Sequence, residues 1–284
     1  MPDFPIVDAH VHFYDPGVIG FDWTKSIPKL DRAYLPADFW KLTAGVEVEA
    51  LVFVEVDAAP GQHLREAEWV SGQAIKEPRL RGIVASIPLE KGEAAREDLD
   101  AYSKIGIARG ARRLIERHSD EPGWSLSDAF VAGVRLLPEY GFTFDLCLFH
   151  PQLAEVTELC RRCPDVQFVI DHIAKPGIRD GLTEPWRRQM REISRLPNVN
   201  CKISGVATEA DRANWKAADV TPYIEHVIDC FGFDRVMFGG DWPVSELATS
   251  YRRWVDVVDA VVAGASEVDR RKLYRDNATM FYRL

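Results

Sequence analysis

The chain has 284 residues, with 35 Lys and Arg against 44 Asp and Glu, and a net charge of −9. This acidic balance, without any basic run, disfavours nucleic acid and anionic membranes as partners. A hydrophobic content of 46% with 28% charged residues is typical of a folded globular protein. No apolar run reaches the roughly 18 residues that a membrane span needs.

The N-terminal sequence MPDFPIVDAH lacks the basic and apolar regions of a secretory signal, so we expect a cytoplasmic protein. The five cysteines do not form a disulfide framework. Cys160 and Cys163 make a C-x-x-C motif inside a helix-like segment, without a second cysteine pair to complete a zinc site. We interpret both as small buried side chains.

Short apolar runs rich in Val, Ile and Phe recur along the chain and alternate with longer amphipathic stretches. Continuous apolar runs are typical of strands buried on both faces, as in a parallel sheet. The runs predict eight strands, at 6–12, 50–56, 81–88, 109–115, 142–149, 166–173, 199–205 and 235–243.

The amphipathic stretches predict helices that separate the strands, including 125–140, 150–163, 183–196 and 221–232. The Ser127 hydroxyl can accept a hydrogen bond from an unpaired N–H of a first helical turn, so Ser127 is a predicted cap. Pro185 and Pro222 are predicted near helix starts, where a missing N–H costs nothing.

Eight strand–helix units without a linker predict an α/β fold, a single (β/α)8 TIM barrel over residues 1–284. Two open doubly wound sheets are the alternative, but no G-x-G-x-x-G follows a strand, which disfavours nucleotide binding. The segment 15–42 is too long for an ordinary loop, and we expect it to cover one end of the barrel.

Several predicted strands end in polar residues, and in such a barrel these ends form the mouth of the active site. The first strand ends in His10 and His12, which point the same way because side chains alternate along a strand. The sixth ends in Asp171 and His172, and the eighth in Asp241. Together these residues predict a metal site or an acid–base cluster.

Other polar residues leave alternatives open. Of Arg112 and Arg113 on the fourth strand only one can face the mouth, and the residues themselves do not decide which. Lys202 is either a pocket cation or a barrel residue whose ammonium reaches the surface. His150 either lines the pocket or starts the next helix. Three further histidines are interpreted as surface residues: His63, His118 and His226.

Five motifs in order along the chain carry a family resemblance: DAHVH, VIDHIAKP, CKISG, FGGDWP and LYRDNATMFYRL. Together they resemble the amidohydrolase superfamily. The similarity is greatest to the branch with L-fuconolactonase, L-rhamnonolactonase and 2-pyrone-4,6-dicarboxylate lactonase. The resemblance implies a (β/α)8 barrel that hydrolyses lactones and covers essentially the whole chain.

The resemblance also implies roles for single residues. Asp241 matches the aspartate that activates water, His172 the histidine near the substrate carbonyl, and Arg112 the arginine of the fourth strand. His10, His12 and Asp241 would hold one divalent metal such as zinc, or act as a metal-free cluster. A binuclear centre is disfavoured because the fourth strand, ARGARRLI, has no lysine.

We expect a small-molecule sugar lactone as the substrate, such as L-fuconolactone, which would place the protein in L-fucose catabolism. The candidate substrate-binding residues are Trp23, Lys25, Lys175, Trp242 and His150. A dicarboxylate pyrone would call for several pocket arginines, and only Arg112 is expected there. The alternatives are a decarboxylase that needs His150 as a zinc ligand and a non-catalytic sugar-binding barrel. A homo-oligomer stays open.

Overall fold

The computed structural model describes residues 2–284. Within that range eight parallel strands form one sheet, and each strand pairs with the next along the chain. The strands are β1 (Ile6–Val11), β2 (Val48–Val54), β3 (Leu80–Ser86), β4 (Ala108–Leu114), β5 (Thr143–Cys147), β6 (Phe168–Ile170), β7 (Val199–Ile203) and β8 (Val236–Phe238).

The sheet closes between its first and last strands just beyond the end of β8. Val11 forms a parallel bridge with Trp242. The Asp241 N–H donates to the His10 carbonyl at 2.8 Å, and the His12 N–H donates to the Trp242 carbonyl at 2.8 Å. The predicted (β/α)8 barrel is therefore confirmed, and its closure joins the two segments that carry the candidate site.

Helices separate the strands, as the amphipathic stretches predict. They are α1 (Pro36–Leu42), α2 (His63–Lys76), α3 (Ala95–Tyr102), α4 (Asp128–Arg135), α5 (Leu153–Arg162), α6 (Trp186–Ile193), α7 (Ala217–Phe231), α8 (Tyr251–Val261), α9 (Glu267–Arg271) and α10 (Asn277–Tyr282).

The helix starts confirm two of three sequence predictions. The Ser127 hydroxyl accepts a hydrogen bond from the Phe130 N–H and caps α4. Pro185 immediately precedes α6. The prediction for Pro222 is wrong, because Pro222 lies inside α7. The Asp219 carboxylate accepts a hydrogen bond from the Lys216 N–H at 2.7 Å, and this cap starts the helix one turn earlier.

The strands β6 and β8 end earlier than their apolar runs suggest, because the chain turns there into left-handed backbone conformations. The φ angles of His172, Ile173, Ala174 and Lys175 lie between 46° and 60°, and that of Asp241 is 52°. Such angles are costly for residues other than glycine and cluster at functional sites. The turns direct the polar side chains into the mouth of the barrel.

Small and branched side chains fill the opposite end of the barrel interior. Val7, Ala9, Val52 and Val84 pack there against Tyr282 of α10. The C-terminal helix thereby closes the amino end of the barrel, and the carboxyl end stays open for a site.

The segment 15–42 covers part of the carboxyl end, as expected. The Tyr14 and Tyr34 backbones pair with each other, and both rings pack in an aromatic cluster with Phe39 and Trp242. The indole N–H of Trp23 donates to the Val56 carbonyl at 2.7 Å and fixes the segment against the end of β2.

The structure also tests expectations for residues away from the mouth. Cys160 and Cys163 are buried free thiols, as interpreted. The surface interpretation of His226 is wrong: it is buried, and its Nε2 lies 2.9 Å from the Arg187 carbonyl, where it can donate. Among the helices of residues 2–284, none has the length and apolar character to cross a membrane.

Candidate active site

Three imidazoles meet one carboxylate at the carboxyl end of the barrel. Oδ1 of Asp241 lies 3.4 Å from Nε2 of His12, 3.9 Å from Nε2 of His10 and 4.0 Å from Nε2 of His172. All four side chains are buried. The loops after β1, β6 and β8 thus bring together the residues that the sequence analysis singled out from three strand ends.

The tautomer of His12 follows from its contact with the backbone. Nδ1 of His12 lies 2.8 Å from the Val54 carbonyl oxygen, which can only accept a hydrogen bond. Nδ1 therefore carries a proton, and Nε2 is the ring nitrogen that faces Asp241. A ring nitrogen and a carboxylate oxygen that face each other in a buried site need a proton or a cation between them.

His10 lies deeper in the barrel and is held at its Nδ1. That nitrogen lies 3.3 Å from Oδ1 of Asp171 and 3.3 Å from the ammonium of Lys202. Burial lowers the pKa of His10 well below its ordinary value, against the attraction of Asp171. Its buried Nε2 has no hydrogen-bond partner among residues 2–284. The ring is neutral and directs an unsatisfied nitrogen at Asp241.

These donors fit a single divalent metal ion. Ligand atoms from His10, His12 and Asp241 all lie within 4.8 Å of one another. Two ligands of a tetrahedral zinc ion, each about 2.1 Å from it, are separated by roughly 3.4 Å. Such an ion would satisfy the orphaned Nε2 of His10 and bind Nε2 of His12, and contacts at their Nδ1 atoms orient both rings.

The electrostatics keep Asp241 ionised. Burial opposes its charge, but the neighbouring His172, His12 and His10 outweigh burial and hold the pKa of Asp241 well below its ordinary value. Burial also lowers the pKa of His172, against the attraction of Asp241. Nδ1 of His172 lies 3.0 Å from the Ser204 hydroxyl. At neutral pH His10 and His172 are therefore uncharged beside an ionised Asp241.

Asp8 ties the two strands that carry the site. Its Oδ1 accepts hydrogen bonds from the backbone N–H groups of His10 at 2.9 Å and Gly240 at 2.8 Å. Its Oδ2 accepts one from the Tyr251 hydroxyl at 2.9 Å. Burial raises the pKa of Asp8 to about 7. The buried carboxyl fixes β1 relative to the loop that presents Asp241.

Arg112 points into the mouth and is held from below. Its Nε donates to Oε1 of Glu55 at 2.7 Å, its Nη2 donates to the Glu55 carbonyl at 2.5 Å, and its Nη1 lies 3.4 Å from Asp171. A guanidinium has five N–H groups, so two remain for a ligand. Arg113 points outward to Glu90. This orientation agrees with the role that the resemblance implies for Arg112.

A cavity of about 260 Å³ opens above these residues. Most cationic side chains in its wall are already paired: Arg112 with Glu55, Arg117 with Asp57 and Lys175 with Glu116. The wall consists of His12, Trp23, Val56, Asp57, Arg112, Leu114, Glu116, Arg117, Cys147, His172, Lys175, Thr208, Glu209, Arg212, Asp241 and Val244.

The five candidate substrate-binding residues fall into two groups. Trp23 and Lys175 line the cavity, as expected. Lys25 does not, because its exposed ammonium binds Asp22 on the surface. Trp242 is fully buried, and its indole N–H donates to Glu246 at 2.8 Å, so it supports the first loop instead of offering a flat surface to a ligand.

His150 lies outside the cavity, in the wall of a neighbouring hollow of about 840 Å³. It precedes α5 in a short turn, His150–Gln152, and is not among the grouped ligand atoms around His10 in the described chain. The decarboxylase alternative requires His150 as a zinc ligand and therefore gains no support from the geometry.

Several polar residues of the site escaped the sequence analysis. Glu55 lies near the carboxyl end of the predicted second strand, which neighbours the strand that carries His10 and His12. That position could have marked Glu55 as a residue of the site. Lys202 is neither of the two alternatives considered: it is fully buried beneath the cavity, paired with Asp145 and Asp171. Glu116 and Glu209 lie in loops, where no periodicity marks them.

Comparison with known proteins agrees with this geometry. The family model described as amidohydrolase matches residues 7–284. The chain belongs to the amidohydrolase family. This membership confirms the resemblance stated from the five motifs.

Named relatives and a solved structure cover nearly the whole chain. An L-fucono-1,5-lactonase of Burkholderia ambifaria is 28% identical over 98% of this chain and 95% of its own. An L-rhamnono-gamma-lactonase of Scheffersomyces stipitis is 24% identical over 100% of this chain and 100% of its own. A crystal structure of a Burkholderia multivorans amidohydrolase with bound zinc has a TM-score of 0.87 and 27% identity, covering 99% of this chain and 100% of its own.

Proposed function

We propose that this amidohydrolase opens the ester ring of a neutral aldonolactone with an activated water molecule. The observation that carries the proposal is the buried, ionised Asp241 in the wall of the cavity, with three imidazole nitrogens at 3.4–4.0 Å from it. Such a carboxylate can accept a proton from water, and the cavity admits a molecule of monosaccharide size.

Hydrolysis begins with the attacking water. Asp241 takes one proton as the water oxygen bonds to the lactone carbonyl carbon. A positioned general base contributes about 10²- to 10⁴-fold to such a step. The His12 ring can orient the water, because its Nδ1 is held by the Val54 carbonyl and its Nε2 faces Asp241.

The carbonyl oxygen becomes an oxyanion in the same step. The two N–H groups of Arg112 that are not bound to Glu55 or Asp171 can donate to it. One such donor is typically worth about 10²- to 10³-fold in rate. The buried Glu55 keeps the guanidinium in place before the substrate arrives, so little reorganisation is needed.

Collapse of the tetrahedral intermediate breaks the bond between the carbonyl carbon and the ring oxygen. The departing alkoxide takes a proton and becomes a hydroxyl of the product acid. His172 lies 4.0 Å from Asp241 and also lines the cavity, so it can pass the proton on from the carboxyl. The leaving group stays tethered in the product and is a better leaving group than an amine.

His10, His12 and Asp241 are the residues that would hold a divalent metal ion. When bound, such an ion would supply Lewis-acid polarisation and lower the pKa of bound water.

A neutral substrate is supported by the charges of the cavity. Arg112, Arg117 and Lys175 are each paired with a carboxylate, and the Nε of Arg212 donates to the Thr208 carbonyl. A dicarboxylate would find Arg112, Arg117 and Lys175 each already neutralised by a carboxylate. The relative named L-fucono-1,5-lactonase supports a 6-deoxy-aldonolactone such as L-fuconolactone, and with it a role in sugar catabolism.

The test is acid release from a lactone panel, followed with a pH indicator with and without a chelator. The panel holds L-fucono-1,5-lactone, further aldonolactones and 2-pyrone-4,6-dicarboxylate. We expect turnover of an aldonolactone and little of the dicarboxylate. Asp241→Asn should lower kcat at least about 100-fold, because an amide cannot accept the proton.

Asp180→Asn is the matched control, since Asp180 is exposed and does not line the central cavity. Near wild-type turnover by Asp241→Asn would refute the mechanism. A panel without any turnover would refute the function. The chelator separates the two forms of the site: resistance indicates a metal-free cluster, whereas loss and recovery with added zinc indicate a metal enzyme.

A further inference from the structure

Glu209 lies on the wall between the central cavity and the neighbouring hollow. It ends the short turn Ala207–Glu209 after β7, and its side chain is partly buried. It lines both spaces together with Lys175, Thr208 and Arg212. A group bound over Asp241 would therefore have Glu209 beside it on the β7 side of the mouth.

Glu209 differs from the other carboxyl groups that line the central cavity within residues 2–284. Asp57 is paired with Arg117, Glu116 is paired with Lys175, and Asp241 faces the imidazoles. The carboxyl of Glu209 makes no hydrogen bond or ion pair with the described part of the chain. It is the wall carboxyl with free acceptor oxygens.

The surroundings of Glu209 favour a neutral hydrogen-bond donor as its partner. Burial raises its pKa, and Lys175 opposes that rise while Glu116 and Asp241 add to it. Removing a carboxylate from water without giving it a donor is unfavourable, and a hydroxyl supplies a donor without bringing in a charge. Lys175 and Arg212 beside it would repel a cationic ligand.

We infer that Glu209 is a specificity-determining residue that accepts a hydrogen bond from a ring hydroxyl of the substrate. This inference rests on the proposed function and deepens it, because it selects polyhydroxy lactones over lactones of the same ring size without hydroxyl groups. A site that hydrogen-bonds a substrate hydroxyl discriminates strongly against an analogue that lacks it.

Two substitutions separate hydroxyl binding from other roles. Glu209→Ala removes the acceptor, and kcat/KM for an aldonolactone should fall about 10- to 100-fold, as for a lost hydrogen bond to a charged group. Glu209→Gln keeps an amide oxygen as an acceptor and should lose less. With δ-valerolactone, which has no hydroxyl group, both variants should match the wild type.

Glu225→Ala is the matched control, because Glu225 is exposed on α7 and lies outside both spaces. The inference would be overturned if kcat/KM fell equally for the aldonolactone and δ-valerolactone, and equally in the Gln and Ala variants. That pattern would show an acid–base role. Unchanged kcat/KM for the aldonolactone in the Glu209→Ala variant would overturn it as well.

A binding measurement keeps the inference separate from the proposed function. A polyhydroxy lactam and δ-valerolactam resist hydrolysis, and their binding can be followed by calorimetry with the full chain. We expect Glu209→Ala to weaken only the polyhydroxy lactam. If no lactone is turned over but this pattern is found, the proposed function fails and hydroxyl binding stands. Equal binding of the polyhydroxy lactam by Glu209→Ala and the wild type refutes hydroxyl binding.

Discussion

The residues around Asp241 determine how activity should depend on pH. The pKa of Asp241 lies well below its ordinary value, because the nearby imidazoles outweigh burial. Burial lowers the pKa of His10 and His172 from 6.5. Asp241 therefore stays ionised in mild acid, and His10 and His172 are the groups facing it that gain a proton as the pH falls below 6.5.

We expect kcat/KM to be level above pH 6.5 and to fall on the acid side of that value. Protonation of an imidazole removes an acceptor beside the water and draws the Asp241 charge away from it. The measurement is kcat/KM for an aldonolactone between pH 4.5 and 8, corrected for spontaneous hydrolysis. An acid limb with a midpoint well above 6.5 would contradict this assignment.

At the scale of elements, the turn after β7 packs so closely against His172 and Asp241 that it has no space for a side chain at Gly205. Gly205 has a φ of 59°, and a Cβ at this position would lie 2.5 Å from Nδ1 of His172 and 3.0 Å from Oδ2 of Asp241. Real Cβ atoms do not approach side chains so closely. Only glycine lets the turn after β7 pass this close to both groups.

Gly205→Ala should therefore lose activity far beyond its loss of stability. Gly141 provides the control, because its φ of 67° is similar but a Cβ there would meet nothing within 4 Å. Gly141→Ala should show the backbone cost, about 1 kcal/mol, with normal turnover. Both variants are compared by chemical denaturation and by kcat with an aldonolactone. Similar kcat values would show that Gly205 does not shape the site.

The elements also show why part of the site could be predicted and part could not. His10 and His12 follow from the period of two along a strand, and the closing of the barrel brings Asp241 to them. The left-handed turn at His172 has no sequence signal that periodicity detects. The expectation that Lys25 and Trp242 line the cavity was wrong, because the position of a loop does not reveal which of its side chains turn inward.

At the scale of the whole molecule, a chain of buried polar groups links the C-terminal helix to the site. The Tyr282 hydroxyl donates to Asp145, which pairs with Lys202. The same ammonium lies 3.1 Å from Asp171 and 3.3 Å from Nδ1 of His10. All of these side chains are fully buried. The closed end of the barrel and the catalytic end therefore share one ionic network.

Removing the ammonium from this network should affect both stability and activity. Lys202→Met leaves Asp145 and Asp171 without their shared cation, and breaking a buried pair on one side costs about 3–5 kcal/mol. The pKa of His10 should rise, because Lys202 repels its proton and no longer neutralises Asp171. The acid limb of kcat/KM should then move to higher pH.

Lys272→Met is the control for the loss of an ion pair at the surface, where Lys272 pairs with the exposed Asp234. That change should have little effect on unfolding, because water screens such a pair. Urea denaturation at pH 7 gives the free energy of unfolding of both variants, and the pH profile gives the shift of the acid limb. Equal stability of the two variants would show that the network under the cavity does not hold the barrel together. An unmoved acid limb in Lys202→Met would show that His10 does not govern that limb, and would leave His172 as its source.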